Sequence, residues 1–187
     1  MRKIVLTFGL ISGAILSGMM LITIPFQDAI GFDKGAIIGY TSMVVSFLLI
    51  FFGVRAYRDN VAGGTVHFGR AFGVGALIAV VASICYVATW EVVYYKISPD
   101  FVQKYQAYVL DKARADGGTE AAIAQKKAEL EKFAAMYKNP AINAAITFLE
   151  PLPVALIVTL VSAGVLSRRR KDGVAADSMV SGAHVST

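Results

Sequence analysis

Two carboxylates, Glu91 and Glu150, lie within long stretches that carry no other charged residue. A charged side chain in the hydrocarbon core of a bilayer costs on the order of a few kcal/mol, so it usually has a partner or faces a polar cavity. At a rise of about 1.5 Å per residue, the two carboxylates could reach similar depths. Adjacent carboxylates share a proton, which is the arrangement that a proton-coupled transporter or a cation site needs.

A simpler interpretation makes both carboxylates structural. Glu91 is then interfacial and pairs with Lys96 or with a loop lysine. Glu150 then accepts hydrogen bonds from Ser, Thr or Tyr hydroxyl groups of neighbouring helices. Both interpretations stay open on the sequence, which nominates Glu150 and Glu91 as the candidate intramembrane polar site.

The segment Glu150-Pro151-Leu152-Pro153 places two prolines beside one of these acids. Proline removes a backbone donor and kinks or breaks a helix. We predict a kinked but continuous helix here, because the residues after Pro151 alone would be short for a span. In the alternative, the helix begins near Pro151 and Glu150 lies at the membrane interface.

Other residues that could do chemistry are scarce. The sequence contains no Walker A, H-E-x-x-H or G-x-S-x-G motif. His67 and His184 are the only histidines, and Cys85 is the only cysteine. The sequence therefore predicts no metal site, no cofactor, no intramolecular disulfide and no enzymatic activity. An intramembrane enzyme that uses Glu150 as general acid or base is the remaining alternative in that class.

Long apolar runs must position these residues. Of the 187 residues, 56% are hydrophobic and only 17% are charged. A span needs about 20 mostly apolar residues, and residues 4–24, 37–54, 71–95 and 141–166 qualify. The first run is too long for a signal peptide and lacks a cleavage site, so we interpret it as a retained helix. The predicted fold class is an all-α membrane protein with four transmembrane helices.

The cationic residues predict the orientation, because positive charge accumulates on the cytoplasmic side of a membrane. Arg2 and Lys3 precede the first span, and the first external loop is more acidic. Both termini are therefore predicted to be cytoplasmic. The net charge of +5 is assigned to topology and to lipid headgroups rather than to nucleic acid. The residues assigned to this role are Arg55, Arg58, Arg70, Arg168, Arg169, Arg170 and Lys171.

Residues 97–140 form an insert of mixed charge, predicted to be an extracytoplasmic helical hairpin. Ser98-Pro99-Asp100 predicts the start of its first helix, and Gly117-Gly118 its end. Thr119 then caps a second helix, which Asn139-Pro140 terminates. The hairpin either packs as a lid on the bundle, lies on the headgroups, or binds an external ligand or partner. Residues 172–187 are predicted to be a disordered cytoplasmic tail.

Small residues recur at four-residue spacing in two of the spans. The first span carries Gly9 and Gly13, and the third carries Gly69, Gly73 and Gly75. Such spacing lets helix backbones approach closely. It predicts that the first span packs on the third within one chain, with homodimerisation through the same faces as the alternative.

Several short motifs follow one another along the chain: Gly53-Val54-Arg55, Tyr57-Arg58, Gly63-Gly64, Phe68-Gly69, Phe72-x-x-Gly75, Ile97-Ser98-Pro99-Asp100-Phe101, Phe148-Leu149-Glu150-Pro151-Leu152-Pro153 and Leu160-Val161-Ser162-Ala163. In these residues the chain resembles the bacterial domain-of-unknown-function family numbered 4199, over residues 4–171. The resemblance implies a small four-helix protein of the bacterial inner membrane. It implies no established activity, so no catalytic residue is carried over.

Three functions remain in order of preference. The first is a non-enzymatic interaction or regulatory component of the inner membrane, with the bilayer, a second copy or an unidentified membrane or envelope protein as partner. The second is an oligomeric proton- or cation-coupled transporter of a small solute that uses Glu150 and Glu91. The third is an intramembrane enzyme.

Overall fold

The computed structural model describes residues 1–167, and regular structure in this part of the chain is entirely helical. Four helical stretches are long and apolar enough to cross a membrane: Arg2–Ile30, Phe32–Asn60, Phe68–Ile97 and Pro140–Leu166. The predicted all-α class and the four apolar helices are confirmed. The predicted disordered tail and the basic run Arg168, Arg169, Arg170 and Lys171 lie outside the described residues.

The helices are α1 (Arg2–Thr23), α2 (Gln27–Ile30), α3 (Phe32–Asn60), α4 (Phe68–Val92), α5 (Phe101–Ala115), α6 (Glu120–Tyr137), α7 (Pro140–Leu149) and α8 (Leu152–Leu166). A 3-10 turn at Ile24–Phe26 joins α1 to α2, and a π turn at Val93–Ile97 extends α4. Helix α3, the second span, is longer than the apolar run 37–54 because its polar ends continue the backbone hydrogen bonding. Gly31, whose φ is +82°, marks where it begins.

Close contact between α1 and α4 depends on two glycines. A methyl group at Gly9 would lie 2.7 Å from Val81 Cβ, and one at Gly13 would lie 2.6 Å from Cys85 Cβ. No side chain larger than hydrogen fits at either position without a shift of the helices. The predicted packing of the first span on the third is confirmed. Gly69 and Gly73 instead face open space, so they play no part in this contact.

The core of the bundle lies in the half away from α5 and α6. There α3 packs against α1, α4 and α8. Phe47, Ile50 and Val54 of α3 are completely enclosed, as is Ile78 of α4. We call the half of the bundle away from α5 and α6 the opposite half, and the half beneath α5 and α6 the hairpin half.

The last apolar stretch is interrupted between α7 and α8. Glu150 (φ −57°, ψ −50°) and Pro151 (φ −78°, ψ −13°) keep right-handed backbone conformations. The chain therefore continues as one bent helical stretch, in agreement with the predicted kink. Pro151 and Pro153 have no amide hydrogen to donate to the preceding turn, which is why the bend falls here.

The insert forms the predicted pair of helices. Thr119 caps α6 by accepting a hydrogen bond from the Ala122 amide at 3.3 Å, and Asn139 caps α7 by accepting from the Ala141 amide at 3.0 Å. The predicted start of the first helix at Ser98 is wrong. Because the π turn draws the Ser98 amide onto the Val93 carbonyl (2.8 Å), α5 begins only at Phe101.

Candidate functional site: a cavity beneath the helical hairpin

A cavity of about 650 Å³ lies in the hairpin half of the bundle. Helices α1, α3 and α4 form its walls, α5 covers it together with two aromatic residues of α6, and α7 closes one side. We call it the hairpin cavity. Its lining is mainly apolar and aromatic, and it includes Leu16, Met20, Gln27, Phe32, Asp33, Gly39, Tyr40, Ser42, Met43, Tyr86, Trp90, Phe101, Tyr105, Tyr108, Lys112, Phe133, Tyr137, Ile146 and Glu150.

The cavity lies beside the break between α7 and α8. Helix α3 packs extensively against α8, but in the described part of the chain it makes no comparable contact with α7. The fourth span therefore separates from the second span above Glu150. Tyr40 of α3 lines the cavity at this gap and is 57% exposed. Tyr40 therefore places part of the cavity lining at the surface of the bundle.

Glu150 lies at the membrane end of the cavity. The Tyr86 hydroxyl donates a hydrogen bond to Glu150 Oε2 at 3.1 Å. This contact agrees with the expectation that a hydroxyl group from a neighbouring helix would satisfy the carboxylate. Among the described residues Glu150 has no cationic partner.

Asp33 lies at the hairpin end of the cavity. Tyr108 Oη donates to Asp33 Oδ1 at 2.6 Å, and Lys112 Nζ donates to the same oxygen at 3.0 Å. We call these three residues the Asp33 cluster. The hydrogen bond to the Asp33 carboxylate, followed by that to Tyr108, raises the pKa of Lys112. Lys112 is therefore a permanent cation, and it neutralises Asp33.

Lys104 forms a second set of ion pairs near the Asp33 cluster, and these also hold α5. Lys104 Nζ lies 2.7 Å from Asp28 and 3.1 Å from Asp100. These hydrogen bonds, that to Asp28 first, raise the pKa of Lys104. The hydrogen bond from Lys104 lowers the pKa of Asp100. The ring of Phe32 also packs on three rings of α5, those of Phe101, Tyr105 and Tyr108.

Buried polar contacts fix α7 against α4 and α6. Trp90 Nε1 donates to Asn143 Oδ1 at 3.0 Å, and the Thr147 hydroxyl reaches the same oxygen at 3.3 Å. Tyr137 Oη lies 3.2 Å from Thr147 Oγ1. Burial raises the pKa of Tyr137, so its phenol stays neutral. This network holds the aromatic rings of Trp90 and Tyr137 at the cavity wall.

Glu91 is not among the residues that line the cavity. Its Oε1 is buried and makes no hydrogen bond to any described residue, and none of the described ion pairs involves it. Glu91 therefore pairs neither with Glu150 nor with Lys96 in this chain. Trp90, its neighbour in sequence, faces the cavity, and a shift of one residue on a helix turns a side chain by about 100°.

Of the other nominated residues in the described chain, Arg55 and Arg58 lie near the end of α3 and Arg70 lies in the first turn of α4. Arg55 and Arg58 both pair with Asp59, at 3.6 and 2.7 Å. Arg70 is exposed in the first turn of α4. Gly63 and Gly64 make the turn with φ values of +69° and +86°. None of these three arginines lines the hairpin cavity.

Sequence patterns had pointed to only part of this site. The two helices of the insert were predicted, and Glu150 was nominated. The acidic residues Asp28 and Asp33 had been considered only as evidence for the orientation in the membrane. Asp28 precedes α3 and Asp33 lies in its first turn, beside the insert. Among the described residues, no three His, Cys, Asp or Glu side chains lie close enough to hold a metal ion.

Four apolar helices of sufficient length indicate a multi-pass membrane protein. Residues 7–168 match the model of a family described as "Protein of unknown function (DUF4199)", and the chain belongs to that family. No curated protein and no solved structure matches it.

Proposed function

We propose that this protein is a non-enzymatic, multi-pass membrane protein that binds a small amphipathic molecule in the hairpin cavity. The observation that carries the proposal is the cavity itself, which is largely apolar and has Glu150 at its membrane end. Small-molecule sites are typically concave, mostly apolar and several hundred Å³ in volume, with a few placed polar groups. In this proposal α5 and α6 act as a lid, and occupancy of the cavity is the signal that a partner protein or second copy would detect.

The charge distribution supports an orientation with the hairpin outside a bacterial inner membrane. Arg55, Arg58 and Arg70 lie at the opposite end of the bundle, and the basic run after α8 follows the span that returns to that end. Hairpin-side segments mix acids with lysines. Under the positive-inside rule, both termini are cytoplasmic and the cavity opens towards the periplasmic side.

A binding role fits the polar groups of the cavity better than catalysis does. The Glu150 carboxylate and the Tyr86 hydroxyl are bonded to each other. The Ser42 hydroxyl is the group of the lining that most resembles a catalytic nucleophile. It donates a hydrogen bond to the Ile38 carbonyl at 2.7 Å. A carboxylate-pair transporter is also less well supported, because Glu91 lies outside the cavity lining.

The single tryptophan of the chain permits a direct test, because Trp90 lines the cavity. The purified protein in lipid nanodiscs is titrated with dansylamide, a neutral fluorophore that accepts energy from tryptophan. We expect a saturable transfer signal above the linear signal from membrane partitioning.

Two glycine substitutions make a matched pair for this test. Gly39 lines the cavity and Gly18 does not, yet a Cβ at either position meets nothing within 4 Å. Gly39→Leu should fill the cavity and weaken the saturable signal at least about tenfold, whereas Gly18→Leu should leave it unchanged. If the wild-type protein shows no saturable signal, or if Gly39→Leu binds as the wild type does, the proposal is wrong.

A further inference from the structure

The charges that line the hairpin cavity do not balance. Three residues of its lining have side chains that carry a full charge when ionised, namely Asp33, Lys112 and Glu150. Asp33 and Lys112 neutralise each other at 3.0 Å. An ionised Glu150 therefore leaves the cavity with one uncompensated negative charge, and that charge lies at the end that is deepest in the membrane.

The hydrogen bonding of Glu150 is also incomplete. A carboxylate has about four acceptor sites, and only the one bond from Tyr86 reaches Glu150 from the described residues. A neutral phenol does not supply countercharge. A carboxylate in a low-dielectric setting requires either a cation or a proton of its own. The cavity gives a cation room to approach the free oxygen of Glu150.

Aromatic side chains also line the cavity. Trp90 lies one helical turn from Tyr86 on the same face of α4, and both line the cavity. Tyr137 bonds to Thr147, which is about one turn before Glu150. The faces of aromatic rings attract ammonium groups, by up to about 2 kcal/mol or more when the site is desolvated. A carboxylate in contact with Tyr86, with Trp90 one turn further along the same wall, is a suitable site for an organic ammonium group.

The rest of the lining is apolar, which specifies the remainder of the ligand. Leu16, Met20, Met43 and Ile146 offer no hydrogen bonds from their side chains and contribute surface for a hydrocarbon or aromatic group. The exposed part of the lining, at Tyr40, gives an amphipathic molecule a route from the bilayer.

On the basis of the proposed function, we infer that the ligand of the hairpin cavity is an amphipathic organic cation whose ammonium group binds against Glu150, Tyr86 and Trp90. The inference concerns the chemical class of the ligand. It requires that a cation bind more tightly than a neutral or anionic molecule of the same shape.

Benzyltrimethylammonium is a suitable probe, with benzyl alcohol and benzenesulfonate as its neutral and anionic counterparts. Each is titrated against the full-length protein in zwitterionic nanodiscs, and Trp90 emission is recorded. We expect the cation to bind at least about tenfold more tightly than either counterpart, which corresponds to ~1.4 kcal/mol.

Glu150→Gln and Glu91→Gln form the matched pair of variants. Both replace an intramembrane carboxylate by its amide, but only Glu150 lines the cavity. Glu150→Gln should weaken binding of benzyltrimethylammonium at least about tenfold, and an unchanged circular dichroism spectrum shows that the variant is folded. Glu91→Gln should change benzyltrimethylammonium binding by no more than about twofold.

The outcomes separate this inference from the proposed function. Suppose that dansylamide saturates the cavity, but the cation binds no more tightly than its neutral and anionic counterparts, or Glu150→Gln does not weaken cation binding. The inference is then wrong and the binding function stands. If sodium chloride displaces benzyltrimethylammonium in the wild type but choline chloride at equal ionic strength does not, the site prefers an inorganic cation, and the inference is again overturned. If no probe of any charge saturates, the proposed function itself fails.

Discussion

In the opposite half of the bundle, α3 lies against α1, α4 and α8, and its Phe47, Ile50 and Val54 side chains are completely enclosed. In the hairpin half, α3 lacks its third neighbour, because in the described chain it makes no contact with α7 comparable to that with α8. A cavity of about 650 Å³ takes the place of side-chain packing there. The comparison shows that one bend at Glu150-Pro151 separates a packed region from a region that can accept a ligand.

Buried polar atoms without a partner among the described residues occur in both halves: the Ser46 and Thr159 hydroxyl groups in the opposite half, and Glu91 Oε1 and Asn143 Nδ2 in the hairpin half. The hairpin half differs in its side-chain contacts between helices. Trp90, Asn143, Thr147 and Tyr137 form a connected network there, and the Asp33 cluster joins α5 to α3. These directional contacts add to the packing of the hairpin half.

The largest expected effect tests the close packing of α1 on α4. Gly13→Leu places a side chain where a Cβ already lies 2.6 Å from Cys85 Cβ. We expect a loss of about 3 kcal/mol in the free energy of unfolding, the upper range for overpacking. Unfolding in a mixed-detergent titration, followed by circular dichroism, measures it. Gly18→Leu, which meets open space, should be within experimental error of the wild type, and equal stabilities would contradict this packing.

The next prediction concerns the polar network of the hairpin half. Asn143→Ala leaves Trp90 Nε1 buried without its acceptor, which should cost about 2 kcal/mol of unfolding free energy. The emission of Trp90 should shift at the same time. Asn60→Ala, at the exposed end of α3, is the matched control and should have neither effect. Unchanged Trp90 emission in Asn143→Ala would show that the network does not hold the ring.

A smaller effect is expected at the Asp33 cluster. Lys112→Gln removes the ion pair with Asp33, but both side chains are more than half exposed. Such pairs are weak because water and salt screen them, so we expect amide hydrogen exchange in α5 to increase by roughly twofold to fivefold. Lys127→Gln is the control, because Lys127 pairs only with Glu131 of its own helix at 3.8 Å. Equal exchange in the two variants would mean that the cluster does not hold α5 down.

The smallest effect is the pH dependence of the start of α5, where Asp100 and Lys104 pair within the same element. Lys104 lowers the pKa of Asp100 below its ordinary value of 3.8, so this pair stabilises α5 fully above that pH and is lost as the pH falls through the lowered pKa. The raised pKa of Lys104 works in the other direction. Its contribution is complete below the ordinary lysine pKa and is lost as the pH rises through the raised value.

Trp90 emission can follow this dependence, because the Trp90 ring packs on Phe101 of α5 with centroids 5.2 Å apart. In Lys104→Met, the acid transition should move to a higher pH than in the wild type. Lys127→Met keeps Asp33, Glu150 and Asp100 with their partners and should titrate as the wild type does. A transition at the same pH in all three proteins would exclude the Lys104–Asp100 contact as its cause.

Much of the local structure could be predicted from the sequence. The apolar runs predicted four helices, Thr119 was recognised as a cap, Asn139-Pro140 was recognised as the end of the second insert helix, and Gly9 and Gly13 indicated the contact between the first and third spans. These features depend on residues close in the chain or on a simple spacing rule. The start of α5 was misplaced because the π turn, a tertiary adjustment at the end of α4, competes with the Ser98 cap.

The candidate site was predictable only in part, because it depends on the direction in which each side chain points. The sequence by itself determined that Glu91 and Glu150 lie in apolar helices and that a bend follows Glu150, since hydropathy and proline act locally. Only the tertiary structure decided that Glu150 faces a cavity with Tyr86 and Trp90 while Glu91 lies outside its lining. The rotation of a helix about its axis is set by what packs against it, and that packing involves residues more than sixty positions apart.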